Sequence, residues 1–220
     1  MSGWRVAVIV PAHNESVLLP ACLAALHADP VPKRLIVVAD ACTDDTAALA
    51  VAAGAEVVTI EAGNVGRARA AGVTRALDAG PRGLWLATTD ADSRVPPGWL
   101  DRQLRHAVAG ADLVAGTVVV DDWSGWPSFL EPRYQARYRR AMGSHVHGAN
   151  LGFSAAAYLA AGGFPALTHD EDRALAARVR SAGGRVVTDG GCPVRTSARP
   201  DGRTPYGFAG HLLGLAAEAR

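Results

Sequence analysis

Residues 84–99 read LWLATTDADSRVPPGW. LWLAT at 84–88 is a continuous apolar run, the pattern of a strand buried on both faces. It closes on Thr88 and Thr89, and then Asp90 and Asp92 stand one residue apart with prolines close behind. In extended chain, residues i and i+2 point to the same face. Both carboxylates therefore converge on one cation, or on a ribose and a cation. Bringing them together at a strand end is costly unless something positive sits between them. Oxygen ligands from only two side chains suit Mg²⁺ or Mn²⁺, which take their remaining ligands from water and a substrate diphosphate.

Upstream, strand and helix patterns alternate. VAVIV at 6–10, LIVV at 35–38 and EVVTI at 56–60 read as strands. Residues 15–27 carry Val17, Leu18, Cys22, Leu23 and Leu26 at helical spacing, and helices follow over 43–53 and 65–79. This alternation predicts an α/β fold with a mostly parallel central sheet flanked by helices. In the second half, strands are expected at 112–120, 148–154 and 185–188, with helices at 155–161 and 170–182 and in the tail. In such sheets, ligands sit outside the carboxyl ends of the strands. The polar clusters PAHNE (11–15), ADACTDDT (39–46) and TDADS (89–93) fall at those ends. Helix caps and turns explain any one of them; all three together point to a site.

Composition narrows the function. The chain has 220 residues, 49% hydrophobic and 20% charged, with net charge +1. It is expected to be one domain, and nothing in its charge argues for nucleic acid or an acidic membrane. Of 22 basic residues all but Lys33 are arginine, a residue suited to phosphate. Cys22, Cys42 and Cys192 make neither a zinc pattern nor a disulfide framework. A reducing cytoplasm is the expected setting. The N-terminus reads as a strand and not a signal peptide, and no apolar stretch nears the roughly 20 residues of a membrane span. No G-x-G-x-x-G follows the first strand, and VPKRL holds the lone lysine, so neither a dinucleotide-binding motif nor a P-loop is present.

VIVPAHNE, VVADACTDDT, NVGRARAAG, TTDADSRVPPGWL, HGANLGFS and GGFPALTHDEDRALAARVRSAGGRV occur in this order over about residues 5–190. Together they resemble the family 2 glycosyltransferases of the GT-A fold. Each motif is weak alone; the ordered series is specific. The resemblance implies a metal-dependent, hexosyltransferase-like enzyme. Such an enzyme moves a sugar from a nucleoside-diphosphate sugar to an acceptor hydroxyl, with inversion at the anomeric carbon. It assigns Pro11, Ala12 and Glu15 to the base and ribose. Asp40 is left as the one acidic residue after the second strand where the family has two in sequence. Asn64, Arg67 and Arg69 fall near the diphosphate, at a helix start that favours anions. Asp90, Ala91 and Asp92 form the D-x-D unit under ribose and metal, with Mg²⁺ or Mn²⁺ as cofactor.

Within THDEDRAL, the resemblance makes Asp172 the base that takes the acceptor's proton, with Glu171 beside it. Such help is typically worth ~10²–10⁴-fold, and acids are also stabilised in a first helical turn. His147 and Asn150 are assigned to acceptor or donor sugar, and His147 is equally a structural hydrogen-bonder. Trp123, Trp126 and Tyr134 suit stacking on a sugar or belong to a core. Arg195, Arg199 and Arg203 lie on a tail loop that either closes over the diphosphate or is solvated, and His211 lies beyond it. The division expected is a nucleotide-sugar half over about 1–120, an acceptor and base half over about 121–190, and a C-terminal loop and helix over 191–220. The acceptor is of unknown type, and peripheral contact with a lipid-linked one is compatible with the tail helix. Two other functions fit the same sheet: a sugar nucleotidyltransferase, or a non-catalytic sugar-nucleotide binder.

Overall fold

The computed structural model describes residues 3–120, 122–141, 143, 145–167, 169–200 and 208–218. Arg203 falls outside them. The first half forms β1 (Arg5–Ala12), α1 (Leu19–Ala28), β2 (Arg34–Asp40), α2 (Thr46–Ala52), β3 (Glu56–Ile60), α3 (Val65–Leu77) and β4 (Leu84–Thr88). Then come β5 (Ser93–Arg94), α4 (Trp99–Val108), β6 (Leu113–Val120), α5 (Leu130–Arg140), β7 (Leu151–Ser154), α6 (Ala155–Ala160), α7 (Glu171–Ser181), β8 (Val186–Thr196) and α8 (Phe208–Ala217). Among the described residues no helix is long and apolar enough to cross a membrane.

The strands form one sheet in the order β3-β2-β1-β4-β7-β6-β8-β5. β1 pairs in parallel with both β2 and β4, as β2 does with β3, and β6 pairs in parallel with β8. β7 runs antiparallel between β4 and β6. The continuous apolar strands are explained by burial on both faces. Val6, Val8 and Val10 pack with Leu19, Leu23 and Leu26 of α1 and with Trp99 and Leu100 of α4. Ala7 and Ile9 face Ala68, Val73 and Ala76 of α3, with Leu175 and Val179 of α7 in the same core. A third, smaller core joins Val120 at the end of β6 with Leu130 and Tyr134 of α5 and Leu212 and Leu215 of α8.

Several boundaries differ from the sequence reading, each for a local reason. The first helix begins at Leu19, not at residue 15, because Glu15 to Leu18 form a turn and Pro20 sits in the first helical turn. Residues Gly148–Asn150 form a 3₁₀ turn instead of strand, and the strand starts at Leu151. The strand expected at 185–188 continues to Thr196, because β6 and then β5 pair along its length. The sequence reading missed α4. Its spacing of Trp99, Leu100, Gln103, Leu104 and Ala107 is helical and buried, and it starts after Gly98 in the left-handed region, at φ 77°.

Gly72 sets how closely α3 sits on the sheet. A Cβ there would lie 2.4 Å from Ile9 Cγ2 and 3.0 Å from Val38 Cγ2. Gly72→Ala is expected to destabilise the fold by about 1–3 kcal/mol, the usual range for overpacking, read from urea unfolding. On β8, the Asp189 carboxylate binds Arg102 Nε at 2.5 Å and His106 Nε2 at 2.8 Å. These bonds, the Arg102 contact foremost, hold its pKa well below the usual carboxylate range. A depressed folded pKa adds stability above the unfolded value of about 4 and loses it as pH falls. Asp189→Asn should therefore cost about 1 kcal/mol at pH 7, with solvent screening the partly exposed partners. The difference from wild type should shrink steadily on acidification below pH 4.

Candidate active site

The carboxyl ends of β1, β2 and β4 open into a cleft of about 740 Å³. The far wall is built by α5, the segment from His145 to Ala149 and the start of α7. Asp90, Asp92 and Asp172 all line this one cleft, although 80 residues separate the last two in sequence. Pro11, Ala12, Glu15, Asp40, Asn64, Ala91, His147 and Glu171 line it as well.

Asp40 is 4% exposed, and its carboxylate is already engaged. Oδ1 accepts from the N–H groups of Ala62 and Gly63 at 2.7 and 2.9 Å, and Oδ2 from that of Asn64 at 2.8 Å. It shapes the loop that leads into α3. Asn64 then caps that helix, accepting from Arg67 N–H at 2.9 Å, and its amide donates to Leu167 O at 2.8 Å. Glu15 is buried and takes both guanidinium nitrogens of Arg199. The same guanidinium lies 3.5 Å from Asp92. The tail arginine thus reaches the cleft, while Arg195 pairs with Arg94 across β8 and β5 and does not line it.

Arg69 is the centre of charge. It is 4% exposed, and its guanidinium bonds Asp90 Oδ1 at 2.6 Å and Glu171 Oε1. Burial opposes its charge, but Asp90, Glu171 and Asp172 outweigh burial and raise its pKa. Arg69 was expected as an open anion grip; instead it is committed to protein carboxylates. Asp172 Oδ2 accepts from Gly148 N–H at 2.6 Å, and Oδ1 from Arg173 N–H at 2.7 Å. Burial raises the Asp172 carboxyl above its ordinary value, against the pull of Arg69 and those two N–H donors. A raised carboxylate is a better proton acceptor near neutral pH. A Cβ at Gly148 would stand 2.3 Å from Arg69 Cζ, so only glycine allows this approach.

Asp92 bears on a metal. Its pKa is pushed up to about 7 by burial and then by Asp90, with Arg199 pulling the other way. Among the described residues no group of three His, Cys, Asp or Glu side chains closes on a point. That donor set fits a hard cation held by one or two carboxylates, with its other ligands supplied by water and a diphosphate.

Three expected site residues lie off the cleft wall. Asn150 is 3% exposed. It accepts from Trp99 Nε1 at 2.8 Å and donates to Thr117 O and Cys192 O, so its polar groups hold strands and α4 together. Trp123 packs on Tyr134 at a ring distance of 5.4 Å in the third core. Arg67 is exposed in the first turn of α3, outside the cleft. Sequence reading had not placed Tyr138, His145, His169 and Arg173 in the cleft, though all line it. For Tyr138, the signal was its place four residues after Tyr134 on one helix face.

A family model described as glycosyl transferase family 2 matches residues 7–162, more than half of the chain. The chain belongs to glycosyl transferase family 2. Similar curated members are uncharacterized glycosyltransferases of Mycobacterium tuberculosis and Mycobacterium bovis, each 39% identical over 116 residues. The match covers 53% of this chain and 50% of theirs, so the chain spans about half the length of the curated relatives it matches. Solved glycosyltransferase structures share the fold. S. aureus TarS 1–349 with UDP-GlcNAc superposes with TM-score 0.71 at 15% identity, over 97% of this chain and 66% of that one. The mannosyltransferase PcManGT from Pyrobaculum calidifontis, with GDP-Man and Mn²⁺, gives 0.70 at 22% identity, over 90% and 58%. Glucosyl-3-phosphoglycerate synthase of Mycobacterium tuberculosis gives 0.59 at 17% identity, over 98% and 78%. These neighbours are GT-A glycosyltransferases, and the family 2 chain described here has that fold.

Removing the buried cation tests the charge arrangement. Arg69→Met should destabilise the chain by about 3–5 kcal/mol, because Glu171 is left buried without a partner. Adding Glu171→Gln should restore most of that loss. Urea unfolding of the two variants reads the difference.

Proposed function

We propose that this chain is a metal-dependent glycosyltransferase that moves a sugar from a nucleoside-diphosphate sugar to an acceptor hydroxyl, with inversion. The observation that carries the reading is the meeting of Asp90, Asp92 and Asp172 around one cleft. The structural neighbours support the donor class, since TarS forms a complex with UDP-GlcNAc and PcManGT one with GDP-Man and Mn²⁺.

In this reading the nucleotide lies over the ends of β1 and β2, against Pro11, Ala12 and the loop held by Asp40. Asp92 and Asp90 would hold Mg²⁺ or Mn²⁺, which when bound supplies positive charge to the departing diphosphate. Arg69 stays outside the reaction and fixes Asp90 and Glu171. Asp172 takes the proton of the acceptor hydroxyl, and the acceptor oxygen forms its bond to the sugar C1. The bond from C1 to the diphosphate oxygen breaks, and the nucleoside diphosphate carries away the electron pair. A single displacement inverts the anomeric centre. The N–H donors of Gly148 and Arg173 aim the Asp172 carboxylate without protonating it.

A panel of nucleotide sugars, screened for release of nucleoside diphosphate with Mn²⁺ present, tests the proposal. Asp172→Asn should lower the release by roughly 10²–10⁴-fold while nucleotide binding persists. Release that survives Asp172→Asn would exclude Asp172 as base, and binding with no release from any donor would mark a binding protein. Asp92→Asn should abolish the Mn²⁺-dependent part of the melting-temperature rise given by nucleoside diphosphate. An unchanged rise would remove Asp92 from the metal site.

A further inference from the structure

The acceptor wall holds a ladder of rings that the reaction outlined above leaves unused. Tyr138, on α5, stacks with both His145 and His147, whose own rings are 5.5 Å apart. Its hydroxyl is 3.0 Å from His147 Nε2 and accepts from Val118 N–H at 2.9 Å. His145 stacks on the Tyr138 ring with centroids 3.8 Å apart, and its Nε2 lies 2.9 Å from the Tyr138 carbonyl oxygen. A carbonyl only accepts, so that Nε2 carries the proton. His147 lines the cleft and precedes Gly148, whose N–H binds Asp172 at 2.6 Å. His147 and Asp172 therefore line the same cleft, joined through the backbone of Gly148.

Counting protons fixes the second histidine too. A tyrosine hydroxyl has one hydrogen to donate. Among the described residues, the acceptor within its reach is His147 Nε2. Were Nε2 protonated, the half-buried hydroxyl hydrogen would have no partner, which costs more than a hydrogen bond returns. With Nε2 bare, the hydroxyl donates to it and the ring proton sits on Nδ1. Burial, then His145 and Arg173, push the His147 pKa down to about 4, so the ring is neutral near pH 7. No hydrogen bond joins its Nδ1 to another described residue.

We propose that Tyr138 is a positioning residue that holds His147 as the Nδ1–H tautomer, so that His147 meets substrate as a hydrogen-bond donor and not as a second base. The inference rests on the cleft being the glycosyl-transfer site. It divides the work between neighbours: Asp172 takes the proton, and His147 donates to an oxygen lone pair of the sugar or the acceptor.

Nitrogen-15 NMR of the histidine-labelled chain tests the tautomer directly, with His147→Ala giving the assignment. An unprotonated Nε2 and a protonated Nδ1 are expected at pH 7. Tyr138→Phe should move the proton wholly or partly to Nε2. A protonated Nε2 in the wild type overturns the proposal without any variant, and so does a Tyr138→Phe spectrum unchanged from it. Kinetics add a second arm, using hydrolysis of whichever nucleotide sugar the panel identifies. Tyr138→Phe should lower kcat about five- to tenfold, one hydrogen bond's worth. The double variant with His147→Ala should be no slower than His147→Ala alone. Losses that multiply would show that Tyr138 does not act through His147, overturning the proposal. If no donor is hydrolysed, the glycosyl-transfer reading fails and the spectrum alone decides the tautomer.

Discussion

One buried guanidinium joins the two halves of this molecule. Arg69 comes from α3, Asp90 from the end of β4 and Glu171 from the start of α7. A charge with so little exposure must be paired. The pairing sets where α7 begins relative to the sheet, and so where Asp172 lies. Asp172 is reached by a second route, through Gly148 N–H, and Gly148 is itself pressed against the Arg69 guanidinium. Donor-side and acceptor-side carboxylates thus share a common anchor 102 residues from Glu171 along the chain.

Charge in the cleft is divided by position. Asp90 faces a permanent cation that the protein supplies. Among the described residues, Asp92 faces the more distant Arg199, which spends two nitrogens on Glu15. Burial first, and then Asp90, raises the Asp92 pKa. Two aspartates with the same sequence signature thus have different electrostatic surroundings.

Much of this was legible in the sequence. Strands buried on both faces announce themselves as unbroken apolar runs, and β1, β2 and β4 are such strands. The grouping of Asp90 and Asp92 with Asp172 came from the family resemblance carried by the ordered motifs, and the three line one cleft. What failed to show were pairings across long separations. Nothing local to Arg69 distinguishes a buried ion pair from a solvated helix face. Asn150 read as a site residue because it shares the HGAN motif with His147, yet three residues further along the chain it turns into the core against Trp99. The helix α4 was missed despite clear spacing, because Pro96, Pro97 and Gly98 made the region read as loop.

The third core, built by α5 and α8 with Val120 of β6, is smaller than the two on the sheet faces. Free energies of local opening follow how much apolar surface each unit buries. Amide exchange in α5 and α8 should accordingly outpace that of the central strands. Substitutions in this small core can therefore reshape one wall of the cleft, residue by residue, without unfolding the sheet that forms the other.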